Sequence, residues 1–289
     1  MQVQAVTLAI KTLIPHGGLD YERGLGLDLE LKGRVAIVTG SSQGIGKTIA
    51  HGLAKEGAKV TICARNEERL REAAKEIASR TGAEVLPIQA DLRNAEDIKR
   101  LVQRTAQKLG GVDILVNNTG GPPAALFLEA SELDWREAVN SLLMSVVNCC
   151  REVIPHMKER GWGRIINMTS FAAKEPAERL ILSNTVRAGI LGLTKTLSNE
   201  LAQYRILVNA VCPGWTRTKR IDELARSKAG KTGQTSDAVI AEWANNIPLK
   251  RLGQPEEIAN LVVFLSSERA SYITGAVIQV DGGFIKSLI

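Results

Sequence analysis

Aromatic residues are scarce in this chain of 289 residues: four Trp, four Phe and three Tyr, 4% of the whole. No aromatic-rich basic stripe can be assembled from them. The net charge of +6, from 37 basic and 31 acidic side chains, is too evenly spread to argue for nucleic acid. Uninterrupted apolar runs of bilayer-spanning length are absent, so no membrane-spanning helix is expected within this chain. With three His and four Cys at no regular spacing, neither a zinc site nor a disulfide framework is expected. The thiols are expected to be reduced and mostly buried, with the adjacent Cys149 and Cys150 on different helix faces. The opening "MQVQAVTLAIKTLIPHGG" lacks the basic lead and small-residue cleavage site of a secretory leader, so a cytoplasmic protein is expected.

What is present is aliphatic and rich in turns. Hydrophobic residues make up 44% of the chain and there are 26 Gly. Residues 1–28 have Gly-rich breaks and no periodicity, and are expected to be an N-terminal arm, partly disordered. Residues 29–289 read as one folded domain. "RVAIVTG", "KVTICAR", "EVLPIQAD", "VDILVNN", "GRIINMTS", "ILVNAVCPG" and "GAVIQVDGG" are seven short apolar runs, predicted to be strands. Amphipathic segments between them predict helices, among them one long helix over "ELDWREAVNSLLMSVVNCCREVIPHMKERG" and another starting at Val186. Buried strands alternating with helices imply a doubly wound (Rossmann) α/β fold, a seven-stranded parallel sheet covered on both faces. Residues 215–250 are the longest stretch without clear order, predicted to be a mobile loop over the substrate.

"VTGSSQGIG" joins the first strand to the first helix. Gly40, Gly44 and Gly46 permit a tight turn and a close backbone approach. The following helix N-terminus presents free N–H groups to a phosphate. The alternative reading is a tight strand-to-helix turn with no ligand.

This spacing, with Thr39 before the first Gly, resembles the short-chain dehydrogenase/reductase family. The similarity runs from Leu31 to Phe284. "ADL" at 90–92, "NNTG" at 117–120, "PGWTRT" at 213–218, "GQPEEIANLVVFLSS" and "YITGAVIQVDGG" all match family segments. The 3-oxoacyl-acyl-carrier-protein reductases and glucose-dehydrogenase-like members are most similar. The resemblance implies a dinucleotide held by Gly40, Ser42, Gln43, Gly44, Ile45, Gly46, Asp91, Leu92, Asn117, Thr119, Gly120, Pro213, Gly214, Thr216 and Thr218. An acidic residue ending the second strand would select NAD. Here Ala64 stands at that place and Arg65 follows, and a guanidinium accommodates a 2′-phosphate. NADP is therefore expected, with NAD as the alternative, since Gln43 stands where NADP-preferring relatives often carry Arg or Lys. A solvated side chain at a helix start is the other reading of Arg65.

The resemblance also implies four catalytic positions: Asn, Ser, Tyr and Lys. Asn140 falls on the first and Ser170 on the second. Thirteen residues beyond Ser170, the Tyr position holds Ser183. Four further, the Lys position holds Arg187, expected to steady an oxyanion or the nicotinamide ribose. Ser is a far weaker acid than Tyr, whose reference pKa is about 10. A permanently charged guanidinium donates hydrogen bonds but shuttles protons poorly. Losing general acid–base help would cost about 10² to 10⁴-fold, roughly 3 to 5 kcal/mol. Candidate substitutes are Tyr21, Tyr204, Tyr272, His51 and His156. The bland reading of Ser183 and Arg187 is a capped helix start.

The expected substrate is a small carbonyl compound or alcohol, including an acyl thioester that Arg217, Lys219 and Arg220 would meet; a solvated basic face is the leading alternative for those three. A carrier-protein docking patch of Arg151, His156, Lys158, Arg160 and Arg164 is a further expectation. No metal, nucleic acid or membrane partner is expected. The family's subunit interfaces imply a homotetramer or homodimer. Two functions compete: an NADP(H)-dependent oxidoreductase with an altered proton relay, and a non-catalytic dinucleotide-binding sensor or scaffold.

Overall fold

A computed structural model describes residues 27–288. Tyr21 and most of the N-terminal arm lie outside them. Seven strands form one parallel sheet: β1 (Val35–Val38), β2 (Lys59–Ala64), β3 (Val85–Gln89), β4 (Ile114–Asn117), β5 (Gly163–Met168), β6 (Ile206–Pro213) and β7 (Val277–Val280). Their order is β3-β2-β1-β4-β5-β6-β7. The chain therefore reverses direction across the sheet between β1 and β4, the place where open α/β sheets bind ligands.

Side chains alternate across each strand and feed two cores. Ala36, Val38, Val60, Ile62, Ile114 and Val116 face one side. There they meet α1 (Gly44–Lys55), α2 (Glu67–Thr81) and α9 (Pro255–Leu265). Ile37, Cys63, Leu115 and Ile165 face the other side. They meet α3 (Ala95–Leu109), α5 (Ser145–Arg160) and α6 (Ile181–Leu201). α1 and α9 cross closely at Gly52, where a Cβ would come within 2.9 Å of Val263 Cγ2. The helix signals read from sequence are in place. Asn66 caps α2 by accepting from the Arg69 N–H at 2.8 Å, and the helix stops at Gly82 in the left-handed region, φ 69°.

Four expectations need correction. The long helix over 132–160 is divided into α4 (Glu132–Ala138), a π-helical turn (Val139–Met144) and α5. Around that turn Ser141 and Ser145 hydroxyls donate to the carbonyls of Glu137 and Ser141, drawing backbone acceptors out of the ladder. The stretch 215–250 is largely helical: α7 (Lys219–Thr232) and α8 (Ser236–Asn246) pack through Ala225, Ala229 and Val239. Its apolar residues fall at helical spacing, but between charges dense enough to hide the pattern. α6 starts at Ile181, five residues before the predicted start, so Ser183 is helical rather than in a loop. Its N-cap is Leu180, without a side-chain bond; Asn184 instead holds Ala177 through its amide. Finally, Cys149 and Cys150 are both buried in one core rather than split between faces. All four thiols are free and buried.

Candidate active site and dinucleotide cleft

The glycine turn leaves β1 with two residues in the left-handed region, Gly40 at φ 56° and Gly44 at φ 57°. Gly46 is required by contact instead: a Cβ there would lie 2.5 Å from the Gly40 carbonyl oxygen. Asn118 clamps this turn. Its Nδ2 donates to the carbonyls of Thr39 and Gly40, each at 3.1 Å, and its N–H donates to Thr39 Oγ1 at 2.8 Å. α1 opens on Gln43 with no side-chain cap and no acidic residue in its first turn. Its free N–H groups therefore meet the cleft, a fit for the diphosphate of a dinucleotide.

The end expected to hold adenosine is a cavity of about 900 Å³ lined by Gly40, Ser42, Gln43, Arg65, Asp91, Leu92, Thr119 and Gly120, among others. Arg65 and Arg69 both reach its rim, and Arg69 Nη1 lies 3.4 Å from Gln43 Oε1. Arg69 was not singled out from sequence; its spacing of four from Arg65 into a helix start was the available signal. Asp91 is already engaged. Arg93 Nε donates to its Oδ1 at 3.0 Å and Nη2 to its Oδ2 at 2.6 Å, and this holds the carboxyl below its ordinary range. The same guanidinium reaches Glu137 at 3.2 Å, joining the cleft wall to α4.

A second lobe of about 420 Å³ continues from the glycine turn to the carboxyl ends of β5 and β6. Ile45, Ser170, Ser183, Arg187, Pro213, Gly214, Thr216, Thr218 and Arg220 line it. Ser170 caps the short turn Phe171–Ala173, accepting from the Ala172 N–H at 3.1 Å. Ser183 is 7% exposed and Arg187 6%. Arg187 Nη1 donates to the carbonyls of Met168 and Thr169, both at 3.1 Å, and Nη2 to that of Gly120 at 3.0 Å. It thereby ties the end of β5 to the loop after β4. Burial, and then the nearby Arg220, pull its pKa down to about 10. Gly214 lets the C-terminal segment close over the lobe, since a Cβ there would sit 2.6 Å from Asp281 Cα. Phe171, Trp215 and Trp243 form a wall beside it: Phe171 and Trp215 are 5.0 Å apart, and Trp215 stacks on Trp243 at 4.4 Å.

Two predicted site residues stand elsewhere. Asn117 does not line the cleft. Its amide is spent inside the sheet, donating to Asn167 Oδ1 at 2.9 Å, and its neighbour Asn118 faces the glycine turn instead. Alternation along β4 decides this, because adjacent residues point to opposite faces. Asn140 lies in the π turn and its Nδ2 points to the Arg93 carbonyl at 3.4 Å, outside the lobe that holds Ser170 and Ser183.

No described Tyr or His lines either lobe. Tyr272 is fully exposed, and Tyr204 lies under Lys158 Nζ at 4.1 Å. His51 is on α1 and His156 on α5. Two members of the basic group from 151 to 164 are already paired. Arg164 is buried against Glu268 at 3.3 Å, and Arg160 holds Asp113 at 3.1 Å. Among the described residues no cluster of His, Cys, Asp and Glu could hold a metal ion, and no helix is long and apolar enough to cross a membrane.

The strand reversal, the uncapped helix behind a glycine turn and the hydroxyl-lined floor define a doubly wound dinucleotide-binding protein. Comparison with known proteins narrows this. The family described as Enoyl-(Acyl carrier protein) reductase matches residues 40–285. The chain is 38% identical over 257 residues to the 3-oxoacyl-[acyl-carrier-protein] reductase FabG of Aquifex aeolicus, covering 89% of this chain and 99% of that one. It is 37% identical to the FabG of Staphylococcus epidermidis, covering 86% and 97%. L-sorbose reductase from Gluconobacter frateurii, solved with NADPH and L-sorbose, superposes with a TM-score of 0.87 at 36% identity, covering 91% and 100%. An actinorhodin polyketide ketoreductase variant solved with NADPH gives 0.85 at 34% identity, covering 88% and 98%. The chain belongs to the short-chain dehydrogenase/reductase family and is an NAD(P)-dependent oxidoreductase of that type.

Proposed function

We propose that this protein is an NADP(H)-dependent carbonyl reductase or alcohol dehydrogenase whose proton relay uses serine hydroxyls in place of the family's Tyr and Lys. The observation that carries the reading is the meeting of Ser170, Ser183 and Arg187 in one lobe continuous with the glycine turn. Bound NADP(H) would supply or accept the hydride at the carbonyl carbon. Gly40, Gly44 and Gly46 with the α1 N-terminus would hold its diphosphate, and Arg65 with Arg69 its 2′-phosphate. The two relatives solved with NADPH support that choice of cofactor.

In the reducing direction the carbonyl carbon gains the hydride and its oxygen gains one proton. Ser170 polarises the oxygen by donating to it. The proton comes from water passed across the hydroxyls of Ser183 and Ser170. Arg187 stays protonated and steadies the growing negative charge on oxygen. The similarity to 3-oxoacyl-[acyl-carrier-protein] reductases supports including acyl thioesters in the substrate panel. A homodimer or homotetramer, working in the cytoplasm, completes the proposal. Its support is the exposed apolar group of Phe127, Leu128 and Leu133 beside α4, which a second copy would cover.

The test is a fluorescence titration with NADPH and NADH, followed by a turnover screen of 3-oxoacyl, diketone and sugar substrates. Tight NADPH binding with turnover lost in Ser170→Ala is expected. Binding without turnover on any substrate, unchanged by that substitution, would instead favour the non-catalytic sensor.

A further inference from the structure

Arg187 is a buried cation without a counter-ion. No carboxylate pairs with it among the described residues, and its three acceptors are neutral carbonyls. Arg164, equally buried, shows the usual solution: it faces Glu268 at 3.3 Å. A guanidinium has five N–H groups. Here Nε and one Nη2 hydrogen have no protein acceptor among the described residues. Arg220 adds a second positive charge to the same lobe. It is anchored to the Pro122 carbonyl. Its own carboxylate partner, Glu223, is 3.6 Å away and also lines the lobe, but at 58% exposure it offsets Arg220 only in part. The lobe thus carries surplus positive charge at its floor, in surroundings that charge a high desolvation cost for leaving it unmatched.

Arg187 also shares the lobe with both serine hydroxyls of the relay. Ser183 and Arg187 are four apart on α6 and both line the lobe. That spacing puts their Cβ atoms about 5–6 Å apart. Because Ser170, Ser183 and Arg187 line one lobe, a small molecule whose carbonyl oxygen is held by the serine hydroxyls brings a neighbouring group toward Arg187.

We infer that the substrate is a small oxoacid, with a free carboxylate adjacent to the reacting carbonyl and bound by Arg187 and Arg220. The inference rests on the reductase reading above and narrows its substrate class away from thioesters and neutral ketones. Arg187 and Arg220 are specificity-determining residues in this account. The carboxylate takes one open N–H group of Arg187, leaving the other to the reacting oxygen, and offsets the surplus charge of the two arginines. The cofactor's phosphates are the other source of negative charge for the same lobe, and the experiment separates the two.

Full-length protein saturated with NADPH is titrated calorimetrically with oxamate, which carries a carboxylate beside a planar carbonyl, and with its uncharged ester, ethyl oxamate. Oxamate is expected to bind at least about 30-fold more tightly than the ester, the low end for pairing a buried charge. Arg220→Ala, at the lobe's edge, should erode that preference while NADPH affinity holds; Arg187→Lys, which keeps the charge but not the fork of donors, should erode it as well. Equal binding of acid and ester, or no oxamate binding by protein that binds NADPH, overturns the inference alone. Loss of NADPH affinity in the variants with oxamate preference intact assigns the cations to the cofactor and also overturns it. Failure of the parent protein to bind NADPH defeats the reductase reading and the inference together.

Discussion

Ser183 and Arg187 lie one turn apart on α6, both buried, both lining the lobe that Ser170 caps from the end of β5. The serine hydroxyl makes no hydrogen bond to another described residue, whereas the arginine is braced by three backbone carbonyls. One residue is free to serve a ligand and the other is held still.

Replacing that pair tests the relay. The double variant Ser183→Tyr with Arg187→Lys should raise kcat toward the roughly 10²-fold that a positioned acid and its ammonium partner contribute. Steady-state kinetics on any accepted carbonyl substrate reads it. An unchanged or lower kcat would mean that the lobe is shaped for the serine alone.

Arg65 and Arg69 stand at the adenosine end with no acidic residue ending β2. Removing either to Ala should weaken NADPH binding by roughly 10- to 100-fold, the range for hydrogen bonds to a charged group. NADH binding should hardly move. Paired fluorescence titrations give both affinities, and an equal loss for the two cofactors would contradict a 2′-phosphate role.

The glycine turn has a steric prediction of its own. Gly46→Ala places a Cβ 2.5 Å from the Gly40 carbonyl oxygen and 2.6 Å from Asn118 Nδ2. Backbone cannot yield cheaply, so a loss of about 1–3 kcal/mol of stability is expected. Thermal unfolding measures this. NADPH affinity should fall with it, because the same movement displaces the α1 N-terminus.

Buried thiols set an alkaline limit. Burial pushes Cys63 and Cys150 up to about 12 from the ordinary 9.0. In the folded state these groups keep their protons, while the unfolded chain releases them near pH 9. Stability from this source is complete below pH 9 and falls as pH rises toward 12. Denaturant midpoints across that window should decline, less steeply in Cys63→Ala. Near pH 8 a thiol reagent should label none of the four cysteines until the protein unfolds.

The frame was legible in the chain because short-range chemistry decides it. Seven apolar runs, the Asn and Gly punctuation of α2, and the glycine turn after β1 all appear where periodicity and turn residues put them. The 215–250 region was not legible. α7 and α8 hide their apolar positions among charges, and their packing on each other through Ala225, Ala229 and Val239 is a tertiary fact.

Site residues divide the same way. Gly40, Gly44, Gly46, Ser170, Ser183 and Arg187 occupy the cleft because backbone shape or helix spacing carries them there. Asn117 and Asn140 do not line the lobe that holds Ser170. Strand alternation assigns the clamp on the glycine turn to Asn118, and Asn140, in the π turn, donates to the Arg93 carbonyl. Neither signal can be read by counting residues from a motif.

By itself the sequence determined a doubly wound sheet, a phosphate-ready turn and the substitution of Ser183 and Arg187 for a tyrosine and a lysine. Only the tertiary structure decided that Arg187 is buried without a carboxylate, that Arg220 comes to the same lobe, and that no described Tyr or His is near enough to replace the missing acid. The physical reason is range. Propensity, capping and turn chemistry act over a few residues, whereas desolvation and charge pairing depend on what distant segments bring alongside.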